Sequence, residues 1–270
     1  LFEILLSSSH VKPLFEGKAL CCGYPRNSIF FDRNQRQQVR KEKGLEDKEA
    51  FAYLPTWRDP SPADIYREYS IKNILDFYEA HLGENQILFV KLHNFSTERI
   101  DYSDYQKVQP FPGDVDTYTM LNAVDCLITD YSSVFFDYAN TGKKIVLFAY
   151  DHQEYLKNRG LYFSLDEIPF PKVYTFEEMA AELNLDKSYD DTTFLQKFCT
   201  YDCPDAAQKL LDVVVDGKDC CEITDAVHNG KRNVLIYDAA LTSRLLDDST
   251  ARQTLEALDP KEANYFYGYR

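Results

Sequence analysis

Cys126-Leu127-Ile128-Thr129-Asp130-Tyr131-Ser132-Ser133-Val134-Phe135-Phe136-Asp137-Tyr138 is the stretch on which the fold turns. Cys126 to Thr129 is short and apolar, bounded by polar residues, and reads as a strand; Ser132 to Asn140 carries the apolar spacing of a helix. A strand that runs through two hydroxyl residues into a helix places backbone N–H groups and two hydroxyl donors at a helix start, where a phosphate can sit. Plain capping of the helix by Ser132 or Ser133 accounts for the same pattern. Asp137 follows Ser133 by one helical turn. A carboxylate repels phosphate, so Asp137 is expected either to accept from a ligand hydroxyl or to be a solvated surface charge.

Outward from this stretch the chain alternates between apolar runs and amphipathic segments. Phe51–Leu54, Ile87–Leu92 and Ile145–Ala149 read as further strands, and Ile65–Leu82, Thr117–Asn122, Thr175–Leu185 and Asp205–Val215 as helices. The last helix is expected to turn Ala206, Ala207, Leu210, Leu211 and Val214 to one side. Arg33–Lys48, charged and poor in apolar residues, reads as an exposed helix or connector. Continuously apolar strands between helices indicate an α/β fold with a parallel sheet covered on both faces. Such sheets bind ligands beyond the carboxyl ends of their strands. Three strand ends carry suitable residues there. Pro55-Thr56-Trp57-Arg58-Asp59 follows the first strand, Lys91-Leu92-His93 the second, and the serine pair the third. Each also has a bland explanation, since strand ends are often polar.

The 270 residues, 44% hydrophobic and 27% charged, have ordinary globular usage, which excludes a disordered chain or a long coiled coil. Thirty Lys and Arg against forty-four Asp and Glu give a net charge of −14, so there is no overall field to attract nucleic acid, and an anion has to be held locally. No apolar run approaches the roughly 18 residues needed to span a bilayer, and a cytoplasmic location is expected. The seven cysteines include no C-x-x-C pair, so reduced thiols are expected rather than a zinc site. Core packing is the expected role of the twenty Tyr and eighteen Phe. The chain opens at Leu1 without a methionine, which suggests a piece of a longer polypeptide. From about residue 219 the pattern changes, and Val234–Tyr237 reads as a new strand. The expected organisation is a remnant of a preceding domain and a connector over 1–43, a Rossmann-like α/β domain over 44–218, and an appendage or further domain over 219–270.

Gly23-Tyr24-Pro25-Arg26-Asn27, Leu54-Pro55-Thr56-Trp57-Arg58-Asp59, Lys91-Leu92-His93 and Leu127-Ile128-Thr129-Asp130-Tyr131-Ser132-Ser133 with Phe136-Asp137-Tyr138 resemble, in order and spacing, the CDP-glycerol glycerophosphotransferases of teichoic acid synthesis. Arg159-Gly160 with Tyr162 resembles a further signature, and the likeness covers roughly residues 1–216. The resemblance implies a GT-B-type transferase of two Rossmann-like domains, of which this chain is the donor-binding one. It implies CDP-glycerol contacts from Arg26, Pro55, Thr56, Lys91, His93, Ser132, Ser133 and Asp137, with Arg159 a weaker candidate. The implied reaction transfers a polyol phosphate to a hydroxyl of a cell-wall or capsular polymer and releases CMP. The donor is a substrate and no cofactor is implied. No Asp-x-Asp pair stands at the diphosphate site, which favours a metal-free mechanism and assigns no residue to a metal, while leaving metal dependence open. The acceptor implied is a lipid-linked polyol-phosphate chain, reached by peripheral membrane contact. The family takes its base from a histidine in a His-Gly-Thr-Pro-Leu-Lys motif of the preceding domain. That motif is absent here, so the chain alone is expected to be inactive. His10-Val11-Lys12-Pro13-Leu14-Phe15 lies too near Arg26 to replace it, and Asn94 stands where the family commonly has proline. A glycosyltransferase using CDP-ribitol or a UDP-sugar, and a non-catalytic binding module, are the alternatives.

Overall fold

The computed structural model describes residues 19–57, 68–92, 100–161, 164–224, 232–237 and 263–268. They fall into two compact units, one running from Cys22 to Lys218 and the other joining Leu1–Cys21 with Asp219–Arg270. After β1 (Ala19–Cys21) the larger unit supplies β2 (Glu49–Tyr53), β3 (Gln86–Val90), β4 (Val108–Pro110), β5 (Cys126–Thr129), β6 (Lys144–Phe148) and β7 (Lys172–Val173). The smaller unit continues with β8 (Glu222–Thr224), β9 (Arg232–Tyr237) and β10 (Ala263–Gly268). Within it β1 pairs antiparallel with β8, and β9 pairs parallel with β10.

The larger unit is the expected Rossmann-like α/β domain. Its six strands form one parallel sheet in the order β4-β3-β2-β5-β6-β7. The strands are apolar throughout because both sheet faces are covered. Alternate side chains point to opposite faces, so Ala50 and Ala52 pack with Met120, Leu121, Leu127 and Phe135, while Phe51 and Tyr53 pack with Ile74, Leu75, Tyr78 and Ile128. The chain first builds β2, β3 and β4 in one direction, then returns to the other side of β2 for β5, β6 and β7. The order therefore reverses between β2 and β5, and the carboxyl ends of these strands are where such a sheet binds ligands.

Helix ends follow local chemistry. Asp32 caps α1 (Arg33–Glu42) by accepting from the Gln35 N–H at 2.9 Å. Ser70 caps α2 (Ile71–His81) and Asp116 caps α3 (Thr117–Ala123). The N-terminal part of the helix read over Ile65–Leu82, up to residue 67, lies outside the described residues. Next comes α4 (Val134–Tyr138), followed by a 3-10 turn that ends at Gly142 with φ 68°. The α5 helix (His152–Asn158) buries none of its side chains, so it carries no apolar stripe to read. In α6 (Phe176–Ala181) a capping box of Thr175 and Glu178 sets the start, and the Asn184 side chain takes the Ala181 carbonyl at 2.8 Å, which ends the helix before the expected Leu185. The unit closes with α7 (Thr192–Phe198) and α8 (Ala206–Val214). Only the first turn of α8 reaches the core, at Ala206. Leu211 and Val214, expected on a buried side, are 53% and 70% exposed.

The charged stretch after Arg33 is a helix, and it is docked. Arg36 meets Asp125 at 2.6 Å, and Arg40 meets Asp125 at 2.9 Å and the Ala123, Leu45 and Lys48 carbonyls at 2.8, 2.5 and 2.7 Å. Its attachment is made mainly by guanidinium groups, with Val39 its single buried apolar side chain. No helix among the described residues is long and apolar enough to cross a membrane.

Candidate functional site

The tips of β2 and β5 are joined where the strand order reverses. The Leu54 N–H donates to the Ile128 carbonyl at 3.0 Å, and the Thr129 hydroxyl donates to the Leu54 carbonyl at 2.6 Å. Asp130, 1% exposed, accepts from the Thr56 N–H at 2.9 and 3.0 Å, the Thr56 hydroxyl at 2.5 Å and the Tyr131 N–H at 2.6 Å. A buried carboxylate stays tolerable when charge-assisted bonds replace its water in this way. Thr56 thus engages Asp130 through both its N–H and its hydroxyl and ties the end of β2 to that of β5. Pro55 leads into this turn, half-buried.

The serines follow the end of β5, and Lys91 follows the end of β3. Ser133 occupies the N-cap position of α4 but makes no side-chain cap bond, and it is exposed. The half-buried Ser132 accepts from the Val134 N–H at a long 3.4 Å. Capping alone therefore does not account for the pair. Lys91 continues β3, the strand next to β2; its N–H donates to the Tyr53 carbonyl at 3.0 Å, and its exposed ammonium lies 5.2 Å from the Phe111 ring centre. Arg159 lies over the Trp57 ring at 5.4 Å, so two quoted segments meet. His93, Arg58, Asp59, Asn94, Tyr162 and His10 lie outside the described residues.

Arg26 and Asp137 form a second cluster, one turn along α4 from Ser133. The 3-10 helix Pro25–Phe31 presents Arg26, whose Nη2 reaches the Asp137 oxygens at 3.1 and 3.4 Å. Asp137 also accepts from Asn27 Nδ2 at 2.9 Å and the Tyr118 hydroxyl at 2.6 Å, and it is only 4% exposed. Every described contact of this carboxylate is thus with protein donors, and it is no solvated surface charge. The Asn27 amide also donates to Asp202 at 2.9 Å, as does the Asn140 amide at 2.9 Å. The Arg26 guanidinium lies 4.8 Å from the Tyr24 ring centre and 5.6 Å from that of Tyr118. Burial opposes the Arg26 charge, and Asp137 together with Tyr118 and Tyr24 more than restores it, so Arg26 titrates above its ordinary value. Burial, then the bond to Asp137, raises the Tyr118 hydroxyl well above its own. Gly23, with φ +80°, opens this segment; a Cβ there would stand 2.4 Å from the Tyr201 carbonyl oxygen.

The structure therefore places Pro55, Thr56, Lys91, Ser132 and Ser133 at the ends of three adjacent parallel strands, and Arg26 with Asp137 farther along α4. Asp130, Tyr118, Asn27 and Asp202 complete these clusters. Asp130 and Asn27 stand inside motifs visible in the sequence, whereas nothing local marks Tyr118 or Asp202. Among the described residues no group of three or more His, Cys, Asp or Glu side chains is arranged to hold a metal ion.

Comparison with known proteins gives consistent matches. The family described as CDP-Glycerol:Poly(glycerophosphate) glycerophosphotransferase matches residues 7–216. A teichoic acid poly(glycerol phosphate) polymerase of Staphylococcus epidermidis is 34% identical over 218 residues, covering 74% of this chain and 30% of that protein. Its counterpart in Bacillus spizizenii is 31% identical over 225 residues, covering 78% and 55%. A solved histidine-to-asparagine variant of the wall teichoic acid polymerase TagF, soaked with CDPG, superposes with a TM-score of 0.60 at 31% identity, covering 73% of this chain and 50% of that one. The chain thus spans about half the length of these relatives, or less.

Proposed function

Because this chain belongs to the CDP-glycerol:poly(glycerophosphate) glycerophosphotransferase family, we propose that it supplies the donor site of a transferase moving glycerol phosphate, or a related polyol phosphate, from a CDP-activated donor. The acceptor is a hydroxyl of a cell-wall or capsular polymer, and the product released is CMP. One observation carries this reading: the reversal of strand order brings Pro55-Thr56, Lys91 and Asp130–Ser133 to the ends of adjacent parallel strands. An α/β sheet binds nucleotides at such a place.

The acceptor oxygen forms a bond to the β-phosphorus of the donor while the bond from that phosphorus to the CMP oxygen breaks. The acceptor's proton passes to a base. In this reading the base is a histidine of a preceding domain. Negative charge grows on the departing CMP phosphate. Lys91, Arg26, the Ser132 and Ser133 hydroxyls and, by resemblance, His93 offset it, which lowers the barrier. Local donors are needed because the chain as a whole carries a net charge of −14. The donor is a substrate, and neither cofactor nor metal forms part of this proposal. The site works at the cytoplasmic face of the membrane, where a lipid-linked acceptor holds the enzyme peripherally.

Titration calorimetry with CDP-glycerol tests the proposal. Binding is expected for the wild-type chain, with a loss of about tenfold or more in Lys91→Met and in Ser132→Ala/Ser133→Ala, each worth roughly 1.5–3 kcal/mol as a charge-assisted bond. Absence of binding by folded wild-type protein overturns it, and equal competition by a UDP-sugar points to a glycosyltransferase. Turnover by this chain with donor and primer excludes a non-catalytic binding module, little or none being expected because the base of this reading lies in a preceding domain, and donor binding with and without chelator tests the exclusion of a metal.

A further inference from the structure

The geometry points to Tyr118 and Asn27 as positioning residues that act through Asp137 to hold the Arg26 guanidinium ready for the donor's diphosphate. The inference rests on the donor-site reading above and adds to it two side chains and a chain of action. Arg26 engages Asp137 through Nη2 alone, and its side chain is 53% exposed. Among the described residues, Nε and Nη1 have no partner. An arginine carries five N–H donors in a planar fork, and this fork is fixed at one corner with its remainder turned outward. The Tyr24 and Tyr118 rings lie against the guanidinium at 4.8 and 5.6 Å, which limits its rotation.

Asp137 anchors that corner, and its own orientation is set from behind. The Tyr118 hydroxyl binds Oδ2 at 2.6 Å, and Asn27 Nδ2 binds Oδ1 at 2.9 Å. The same Asn27 amide holds Asp202, which the Asn140 amide also binds. Two carboxylates are thus tied to one amide while a single guanidinium faces Asp137. Asp137 does not meet an anionic donor directly; it fixes the cation that does. A side chain ordered before the ligand arrives loses less freedom on binding, and the gain appears as affinity for the phosphates.

Three probes test this on the full chain: CDP-glycerol, CDP and cytidine, titrated against wild type, Tyr118→Phe, Asp137→Asn, Arg26→Met and Tyr118→Phe/Arg26→Met, with thermal unfolding of each. Tyr118→Phe is expected to bind CDP-glycerol and CDP about three- to tenfold more weakly than wild type, the worth of one hydrogen bond, and cytidine equally well. Asp137→Asn is expected to lose more in the same pattern. In the Arg26→Met background the Tyr118→Phe loss is expected to vanish, since its route to the ligand is gone. A merely structural role predicts equal weakening for cytidine and a loss that persists without Arg26; either result overturns the inference, as does unchanged CDP binding by Tyr118→Phe. Failure of wild type to bind CDP-glycerol or CDP overturns the donor-site reading itself and is told apart by that control.

Discussion

Thr56 illustrates how a residue of the proposed donor site can serve the protein's own architecture. Its hydroxyl and N–H both close on Asp130, across 74 residues of sequence. Thr56→Val removes the hydroxyl and keeps the shape, which leaves a buried carboxylate short of one donor. Urea unfolding should show a loss of about 1–3 kcal/mol, and an unchanged midpoint would mean that the backbone donors suffice. Spacing and residue type identified this position but not its partner, because a hydrogen bond between distant segments leaves no local mark. The same limit applies to Asp137. Its place one turn after Ser133 was legible, whereas its enclosure by Arg26, Asn27 and Tyr118 depends on segments that only the folded chain brings together.

At the level of elements, legibility followed burial on both faces. β2, β5 and β6 are near-continuous apolar runs and stand where the sequence placed them. The edge strands β4 and β7, of three and two residues, are too short to show a period, and α5 buries no side chain. The α1 helix went unrecognised as part of the larger unit for a different reason. Its attachment is mainly polar, made by Arg36 and Arg40 to Asp125 and nearby carbonyls, and charge in a sequence looks the same whether it faces water or a partner. Arg40→Ala removes four contacts at once and leaves Asp125, which also accepts from the Ala50 N–H at 3.0 Å, with one cation fewer. A destabilisation of about 3 kcal/mol is expected from breaking such a largely buried pair. A loss below about 0.5 kcal/mol in chemical unfolding would place this contact with ordinary surface ion pairs.

The stability of the whole molecule should carry a mark from Lys143. Its Nζ donates to the Asn122 and Val124 carbonyls, both at 2.6 Å. Burial, reinforced by the nearby Arg36 and Arg40 charges and opposed by Asp125, brings it from the ordinary 10.5 to about 7. Between those values the unfolded chain holds a proton that the folded chain has released, so stability rises as pH increases from about 7; below that, the folded state bears the full cost of the buried charge. The contribution is on the order of 2 kcal/mol between pH 7 and 9. Denaturation curves across that interval should rise for wild type and flatten in Lys143→Met. Parallel curves would show that the two carbonyls keep the ammonium charged.

The clasp between Thr56 and Asp130 also bears on kinetics. It is made wholly from groups of one compact unit, so the two strand ends are joined before anything arrives at them. On the proposed reading, an incoming nucleotide meets strand tips that are already joined rather than waiting for them to assemble. In stopped-flow mixing the capture rate should climb in proportion to nucleotide concentration, without levelling off.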